Sequence, residues 1–193
     1  MGTPRLGIGA FCLCLAMSVL PPRGAADEGA ATNAITRLPS GVVMRGLKGG
    51  YVHLSGLCYA GEELPRSPRH TLILSFLSTT CVPCKQELPL LLRLTRQYRD
   101  RGVKTFVVCV DGLSKQPDVE AMVTSFGIDC DVLLDPYKMN CGKLKVEATP
   151  RTLVFAPTGE IVGDIGGAET NFESTLTAIL ERATGAGRQG LTP

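Results

Sequence analysis

The sequence contains no tryptophan and only two histidines, and its charges almost cancel. Its 193 residues include 20 Lys and Arg against 18 Asp and Glu. A predicted leader at residues 1–26 contains Arg5 and Arg23 and no acidic residue, so the remainder is formally neutral. A neutral chain without clusters of aromatic and basic residues lacks the features typical of nucleic-acid binding. We therefore expect no nucleic-acid partner.

Side chains that could bind a metal are also scarce. A structural zinc site needs four Cys, His or carboxylate ligands at compatible spacing. The chain has one CxxC pair, Cys81 and Cys84, and its two histidines, His53 and His70, stand apart from each other and from that pair. We predict no metal site.

The N-terminal segment has the composition of an export signal. One Arg precedes an uninterrupted apolar run, IGAFCLCLAMSVL, and the small residues GAA follow it. This pattern predicts a signal peptide at residues 1–26, cleaved after Ala26. An uncleaved membrane anchor is the alternative, although the run is short for a membrane span. We expect an exported protein, periplasmic or extracytoplasmic, in a compartment where disulfides persist.

The rest of the chain has the length and hydrophobic content of one domain. Residues 27–41 are small and polar and predict a flexible linker, and residues 187–193 predict a disordered tail. The folded domain is expected at residues 42–186. Its first part, residues 42–59, has short apolar runs cut by glycines, which indicates one or two edge strands.

Hydrophobic periodicity predicts an α/β fold. The run TLILSFL at 71–77 is continuously apolar, as in a buried parallel strand, and leucines at helical spacing follow it as far as Gly102. The later elements are a strand at 103–110, a helix ending at Gly127, the strand DVLLD, a small helix around 137–145, a hairpin turning at 157–159 and a final helix. This order predicts a central mixed sheet flanked by helices.

The CxxC pair lies where the buried strand meets its helix. Unpaired backbone N–H groups and the helix dipole stabilise a thiolate at a helix N-terminus. Cys81 is therefore the candidate attacking sulfur, and Cys84, one turn inside, is the candidate resolving sulfur. No separate cofactor is expected, because the redox-active disulfide Cys81–Cys84 would itself carry the electrons. The alternative is a structural disulfide without catalytic function.

The buried strand, the CVPC motif, the TP pair and the closing hairpin and helix resemble the thioredoxin fold. In that family a cis-proline lies beside the active-site disulfide. The resemblance therefore implies that Pro150 is cis and that Thr149 offers backbone hydrogen bonds to an extended substrate. The chain departs from classical thioredoxins at Ser75, where they carry a buried acid, and at Thr80, where they carry tryptophan.

The stretch CVPCKQELP resembles the C-x-P-C-x-x-E-x-P pattern of exported thiol:disulfide oxidoreductases of the TlpA/ResA type. This resemblance implies that Glu87 replaces the missing acid and exchanges a proton with Cys84. It also implies reduction of disulfides in exported proteins, electrons from a membrane donor and cytochrome c maturation as a candidate pathway. Val82 and Pro83 offer no hydrogen-bond donor to a thiolate, which favours a reducing couple. We expect a monomer.

Three other functions are compatible with the sequence. A disulfide-forming oxidase or isomerase would use the same two cysteines in another direction. A peroxiredoxin-type peroxidase shares the fold, and Ser78 fits its motif, but Leu74 stands where that motif has proline. A non-catalytic binding module would keep its disulfide permanently.

Four further cysteines follow the predicted leader. Cys109 ends a buried strand and is most simply a small core residue. Cys130 and Cys141 flank DVLLDPYKMN and could form a disulfide, while Cys58 lies in the predicted edge strands. The spacing leaves all three pairings of these four cysteines open.

Overall fold

A computed structural model describes residues 1–2, 35–58 and 69–186 of the chain. In the described part of the chain, seven strands form one mixed sheet in the order β2-β1-β5-β4-β3-β6-β7. The strands are β1 (Val43–Gly46), β2 (Tyr51–His53), β3 (Thr71–Leu77), β4 (Val103–Cys109), β5 (Asp131–Leu134), β6 (Arg151–Phe155) and β7 (Ile161–Gly166). The helices are α1 (Ser55–Cys58), α2 (Val82–Tyr98), α3 (Gln116–Phe126), α4 (Met139–Lys143) and α5 (Phe172–Ala186).

Strand β3 lies inside the sheet, and all seven of its residues are buried. It pairs in parallel with β4 and antiparallel with β6, and β4 pairs in parallel with β5. A strand buried on both faces needs an uninterrupted apolar sequence, which TLILSFL nearly provides. The predicted mixed sheet is confirmed, and β3 carries the CxxC pair at its carboxyl end.

Hydrophobic residues pack on both faces of the sheet in two clusters. One cluster contains the apolar faces of α2 and α5, including Leu88, Leu92 and Leu176. The other contains Leu38, one residue of β1 and part of α4. Pro89 lies inside α2 on its exposed side. Helix α2 is therefore fixed by its buried face, which holds its first turn at the end of β3.

The N-terminal part of the described region contains the expected edge strands and one element that the sequence did not predict. Strand β1 pairs antiparallel with both β2 and β5. The short helix α1 follows β2, inside the segment for which only strands were expected. Its Cys58 is completely buried. The apolar residues of this segment therefore pack from a helix as well as from the strands.

The predicted linker is shorter than expected, because residues 35–41 belong to the folded body. Leu38 is 1% exposed, and its backbone N–H donates to the carbonyl of Gly159 at 2.8 Å. Arg37 forms an isolated bridge with Glu160. A single leucine that is buried by a distant segment produces no hydrophobic periodicity, so the sequence did not indicate this contact. The predicted signal peptide, residues 27–34 of the linker and the tail at 187–193 lie outside the described residues.

No helix within the described residues is long and apolar enough to cross a bilayer.

Candidate active site

Cys81 and Cys84 form a disulfide at the start of α2, with an S–S distance of 1.98 Å and a Cα–Cα distance of 5.3 Å. A tight turn leads into it, because the N–H of Cys81 donates to the carbonyl of Ser78 at 3.1 Å. The buried strand β3 fixes one side of this turn, and α2 fixes the other. The sequence-based position of the pair, between a buried strand and its helix, is confirmed.

The two sulfurs of the disulfide have different surroundings. Cys81 is the N-cap residue of α2, and its Sγ accepts a hydrogen bond from the N–H of Cys84 at 3.2 Å. Cys81 is half-buried and Val82 beside it is 63% exposed, whereas Cys84 is only 3% exposed. A helix N-terminus stabilises negative charge, so reduction of the disulfide would leave Cys81 as the accessible sulfur with the favoured thiolate.

The peptide bond between Thr149 and Pro150 is cis. In the antiparallel pair of β3 and β6, Arg151 lies opposite Phe76, so residues just before Arg151 lie beside the end of β3. The carbonyl of Pro150 accepts a hydrogen bond from the N–H of Gly167 at 3.1 Å. Pro150 therefore lies at the sheet edge that carries the disulfide, held by the loop after β7.

A cavity of about 360 Å³ lies beside the disulfide. Thr80, which precedes Cys81, and Thr149, which precedes the cis-proline, both line it. The charged residues at its surface are Asp111, Lys138 and Glu147. The residue before Cys81 and the residue before the cis-proline thus line the same polar opening.

Glu87 lies half-buried on α2, and burial raises the pKa of its carboxyl group. The N–H of Glu169 donates a hydrogen bond to Glu87 Oε1 at 3.4 Å, which opposes that rise in pKa, and the nearby Glu169 carboxylate adds to it. Glu87 therefore faces the loop after β7 that also holds Pro150. Burial thus favours the protonated form of this carboxyl group, which lies three residues beyond Cys84 on α2.

Asp111 was not identified from the sequence, and the structure places it at the site. Its Oδ2 accepts hydrogen bonds from the backbone N–H of Thr79 at 2.7 Å and from the thiol of Cys109 at 3.0 Å. Its position just after β4 was the available signal, because the carboxyl ends of parallel strands meet at one edge of a sheet.

The other four cysteines in the described part of the chain are free thiols. The considered disulfide between Cys130 and Cys141 is therefore absent, and no alternative pairing of the four forms. Cys109 is completely buried in the core, as expected. Burial is the main cause that raises the pKa of all four thiols, to about 11 for Cys58 and Cys130 and to about 12 for Cys109 and Cys141.

Residues 65–180 match the Redoxin family. The chain belongs to the Redoxin family. This Redoxin chain is 27% identical over 99 residues to the thiol-disulfide oxidoreductase ResA of Bacillus subtilis, a match that covers 51% of the chain and 54% of that protein. It is 32% identical over 104 residues to ResA of Oceanobacillus iheyensis, covering 51% of the chain and 50% of that protein. The match spans about half the length of each of these relatives.

The fold of this Redoxin chain is thioredoxin-like. It resembles the structure of a thiol:disulfide interchange protein of the thioredoxin family from Chlorobium tepidum, with a TM-score of 0.60 and 20% sequence identity. That similarity covers 77% of this chain and 96% of the other. Together with the two ResA relatives, it confirms the resemblance to the TlpA/ResA type that CVPCKQELP indicated.

Proposed function

We propose that this Redoxin-family protein is a thiol-disulfide oxidoreductase that reduces disulfides in exported proteins. The observation that carries the proposal is the asymmetric disulfide at the start of α2. One sulfur, Cys81, is accessible at a helix N-terminus, and the other, Cys84, is buried beneath it. A purely structural staple does not require this asymmetry, whereas dithiol exchange does.

The reaction needs two thiol-disulfide exchanges. The Cys81 thiolate attacks one sulfur of a substrate disulfide, forming a mixed disulfide and releasing the first substrate thiolate. Cys84 then loses its proton and attacks Cys81 Sγ, which closes the Cys81–Cys84 disulfide and releases the second substrate thiolate. The substrate gains two electrons and two protons, and the protein is oxidised. A dithiol donor must then reduce the protein.

Two further residues have proposed roles in these steps. Glu87 accepts the proton of Cys84 before the second exchange, for which its raised pKa and position on α2 are suitable. Thr149 offers backbone hydrogen bonds to an extended segment of the substrate beside Pro150. The shared cavity at Thr80 and Thr149 supports this position for the substrate.

We propose that the protein acts in the reducing direction and that the reaction takes place outside the cytoplasm. Val82 and Pro83 provide no side-chain donor to a thiolate, which favours the reducing direction over disulfide formation or isomerisation. The predicted signal supports an exported protein, periplasmic or extracytoplasmic, whose N-terminal segment is either cleaved or kept as a membrane anchor. We propose that the protein is a monomer. We also propose a membrane electron donor, and cytochrome c maturation as a candidate pathway, because CVPCKQELP resembles the TlpA/ResA type.

The first experiment is a measurement of the reduction potential of the full chain in glutathione buffers. A potential near the thioredoxin value of about −270 mV supports a reductant. A value near about −120 mV would indicate an oxidase instead. A pair that resists mild reduction would indicate a structural staple. Turnover of hydrogen peroxide would support the peroxidase alternative.

A second experiment tests the assigned order of the cysteines. Cys84→Ser should accumulate a mixed disulfide with a disulfide-containing peptide, because the resolving sulfur is missing. Cys81→Ser should accumulate none. Cys130→Ser, which changes a half-buried free thiol, is the matched control and should behave as the wild type. Trapping through Cys84 in Cys81→Ser would reverse the assignment.

A further inference from the structure

The ladder between β3 and β4 continues one step beyond the two strands. The N–H of Val110 donates to the carbonyl of Leu77 at 3.0 Å. This extra step brings the next residue, Asp111, beside the turn that connects β3 to the disulfide. Asp111 is therefore held at a fixed distance from a segment whose last residue is Cys81.

The turn of residues 78–81 is attached, through a side chain, to the segment just after β4. The Thr79 N–H donates to Asp111 Oδ2 at 2.7 Å, two residues before Cys81. Thr79 is 9% exposed, and its buried hydroxyl oxygen has no hydrogen-bond partner among the residues that the structure describes. The carboxylate of Asp111 thus supplies the polar anchor of this nearly buried residue.

The Asp111 carboxylate is itself oriented from the core. The thiol of the completely buried Cys109 donates to the same oxygen, Oδ2, at 3.0 Å. Burial, followed by this hydrogen bond, raises the pKa of Cys109 to about 12, so the thiol keeps its proton and remains a donor. The rigid strand β4 is connected in this way to the turn that carries the attacking sulfur.

We propose that Asp111 is a positioning residue, which holds the turn before α2 so that Cys81 Sγ keeps its place at the helix N-terminus. The proposal deepens the proposed reductase function and rests on it. Asp111 also places a negative charge near the site, and this charge opposes formation of the Cys81 thiolate. The two effects are therefore separable, since the hydrogen bond orients the turn while a negative charge disfavours a nearby thiolate.

Several other titratable groups lie around Asp111 and Cys81, and none of them is replaced in the variants that are compared. They are Cys109 on β4, Lys115 just before α3, Lys138 and Glu147 on either side of α4, and Lys85 on the first turn of α2.

The test compares Asp111→Asn with Asp111→Ala in the full chain. Asparagine keeps an oxygen acceptor for the Thr79 N–H and removes the charge, whereas alanine removes both. We expect Asp111→Ala to lower kcat/KM for disulfide reduction between about 10-fold and 100-fold, the range for a misplaced reacting group. Asp111→Asn should keep most of the wild-type kcat/KM, with a lower Cys81 pKa in the pH profile of alkylation.

Asp100→Ala is the matched control, because Asp100 is an exposed aspartate just beyond the opposite end of α2. It should leave kcat/KM and the Cys81 pKa unchanged. Circular dichroism establishes that each variant is folded. If Asp111→Ala does not fold, kcat/KM of Asp111→Asn decides, and a loss of about 10-fold or more despite the retained acceptor would overturn the proposal.

Two other results would also overturn it. One is a folded Asp111→Ala variant with wild-type kcat/KM and a wild-type alkylation profile. The other is Asp111→Asn losing as much kcat/KM as Asp111→Ala, since the retained acceptor should rescue the turn. A wild-type protein that reduces no disulfide would instead refute the proposed function, and the alkylation profiles would still test the position of Cys81.

Discussion

The backbone N–H of Cys84 donates a hydrogen bond to Cys81 Sγ at 3.2 Å. The two residues are also joined by the disulfide. The first turn of α2 therefore holds Cys81 Sγ through both a covalent S–S bond and a hydrogen bond. After reduction, the same N–H can stabilise a thiolate on Cys81. None of the four free cysteines of the described region combines this donor arrangement with a place at the N-cap of a long helix.

Selective alkylation of Cys81 is the first prediction. In the reduced, native chain at pH 7, iodoacetamide should modify Cys81 fastest, because a helix N-terminus favours the thiolate over the thiol. Cys58, Cys109, Cys130 and Cys141 should remain unmodified until denaturant is added, because burial raises each of their pKa values to about 11 or 12. Peptide mapping by mass spectrometry identifies each site. Equal modification of Cys81 and Cys130 would contradict the prediction.

Replacing Glu87 should slow the second exchange and spare the first. Dithionitrobenzoate reports both, because attack by Cys81 releases one coloured thiolate and resolution by Cys84 releases another. In Glu87→Gln the second phase should slow on the order of 10²-fold, since glutamine cannot accept the Cys84 proton. Glu120→Gln, on the exposed side of α3, is the control and should keep both phases. Two unchanged phases in Glu87→Gln would remove Glu87 from the mechanism.

The raised Glu87 pKa also predicts a pH dependence of stability. The folded protein holds the Glu87 proton more tightly than the unfolded chain, whose pKa is near 4.5. This group therefore increases the free energy of unfolding as pH falls from above the folded pKa to about 4.5, and its ionised form costs stability at neutral pH. Denaturant titrations of Glu87→Gln should show higher stability than wild type at pH 7. That advantage should shrink as pH falls, and a constant difference would contradict the prediction.

Gly163 in β7 should not tolerate a side chain. A Cβ atom there would lie 2.7 Å from Cδ1 and 2.9 Å from Cγ2 of Ile179, a core residue of α5. Gly163→Ala should therefore lower the free energy of unfolding by about 1–3 kcal/mol. Gly185→Ala is the control, because nothing lies near that position of α5, and a better helix former should stabilise the chain by up to about 1 kcal/mol. Denaturant melts measure both, and equal stabilities would show that Ile179 can move away.

The sequence was most informative where the interactions are local. The apolar run TLILSFL predicted β3, and the helical spacing after Cys84 predicted α2, because each pattern reports which faces of one element are buried. The two patterns meet at the CxxC pair, so the position of the disulfide followed from the sequence. The cis Thr149–Pro150 bond was implied by the family resemblance and is present.

Contacts between distant segments had no such signal. Leu38 was placed in a linker because its neighbours are small and polar, yet it is buried against the hairpin of β6 and β7. The disulfide considered between Cys130 and Cys141 does not form, since Cys130 packs with the α2 and α3 side of the core and Cys141 with the opposite cluster. Cysteine spacing cannot report on which side of a sheet each thiol lies.

The sequence by itself determined the α/β fold, the family and the position of the Cys81–Cys84 pair, because hydrophobic periodicity and a short motif depend on neighbours along the chain. The tertiary structure alone decided how Asp111 reaches Thr79, how Glu169 reaches Glu87 and which thiols stay free. Those relationships depend on strand register and on loops that meet at one edge of the sheet, where residues about 30 to 80 positions apart come within hydrogen-bonding distance.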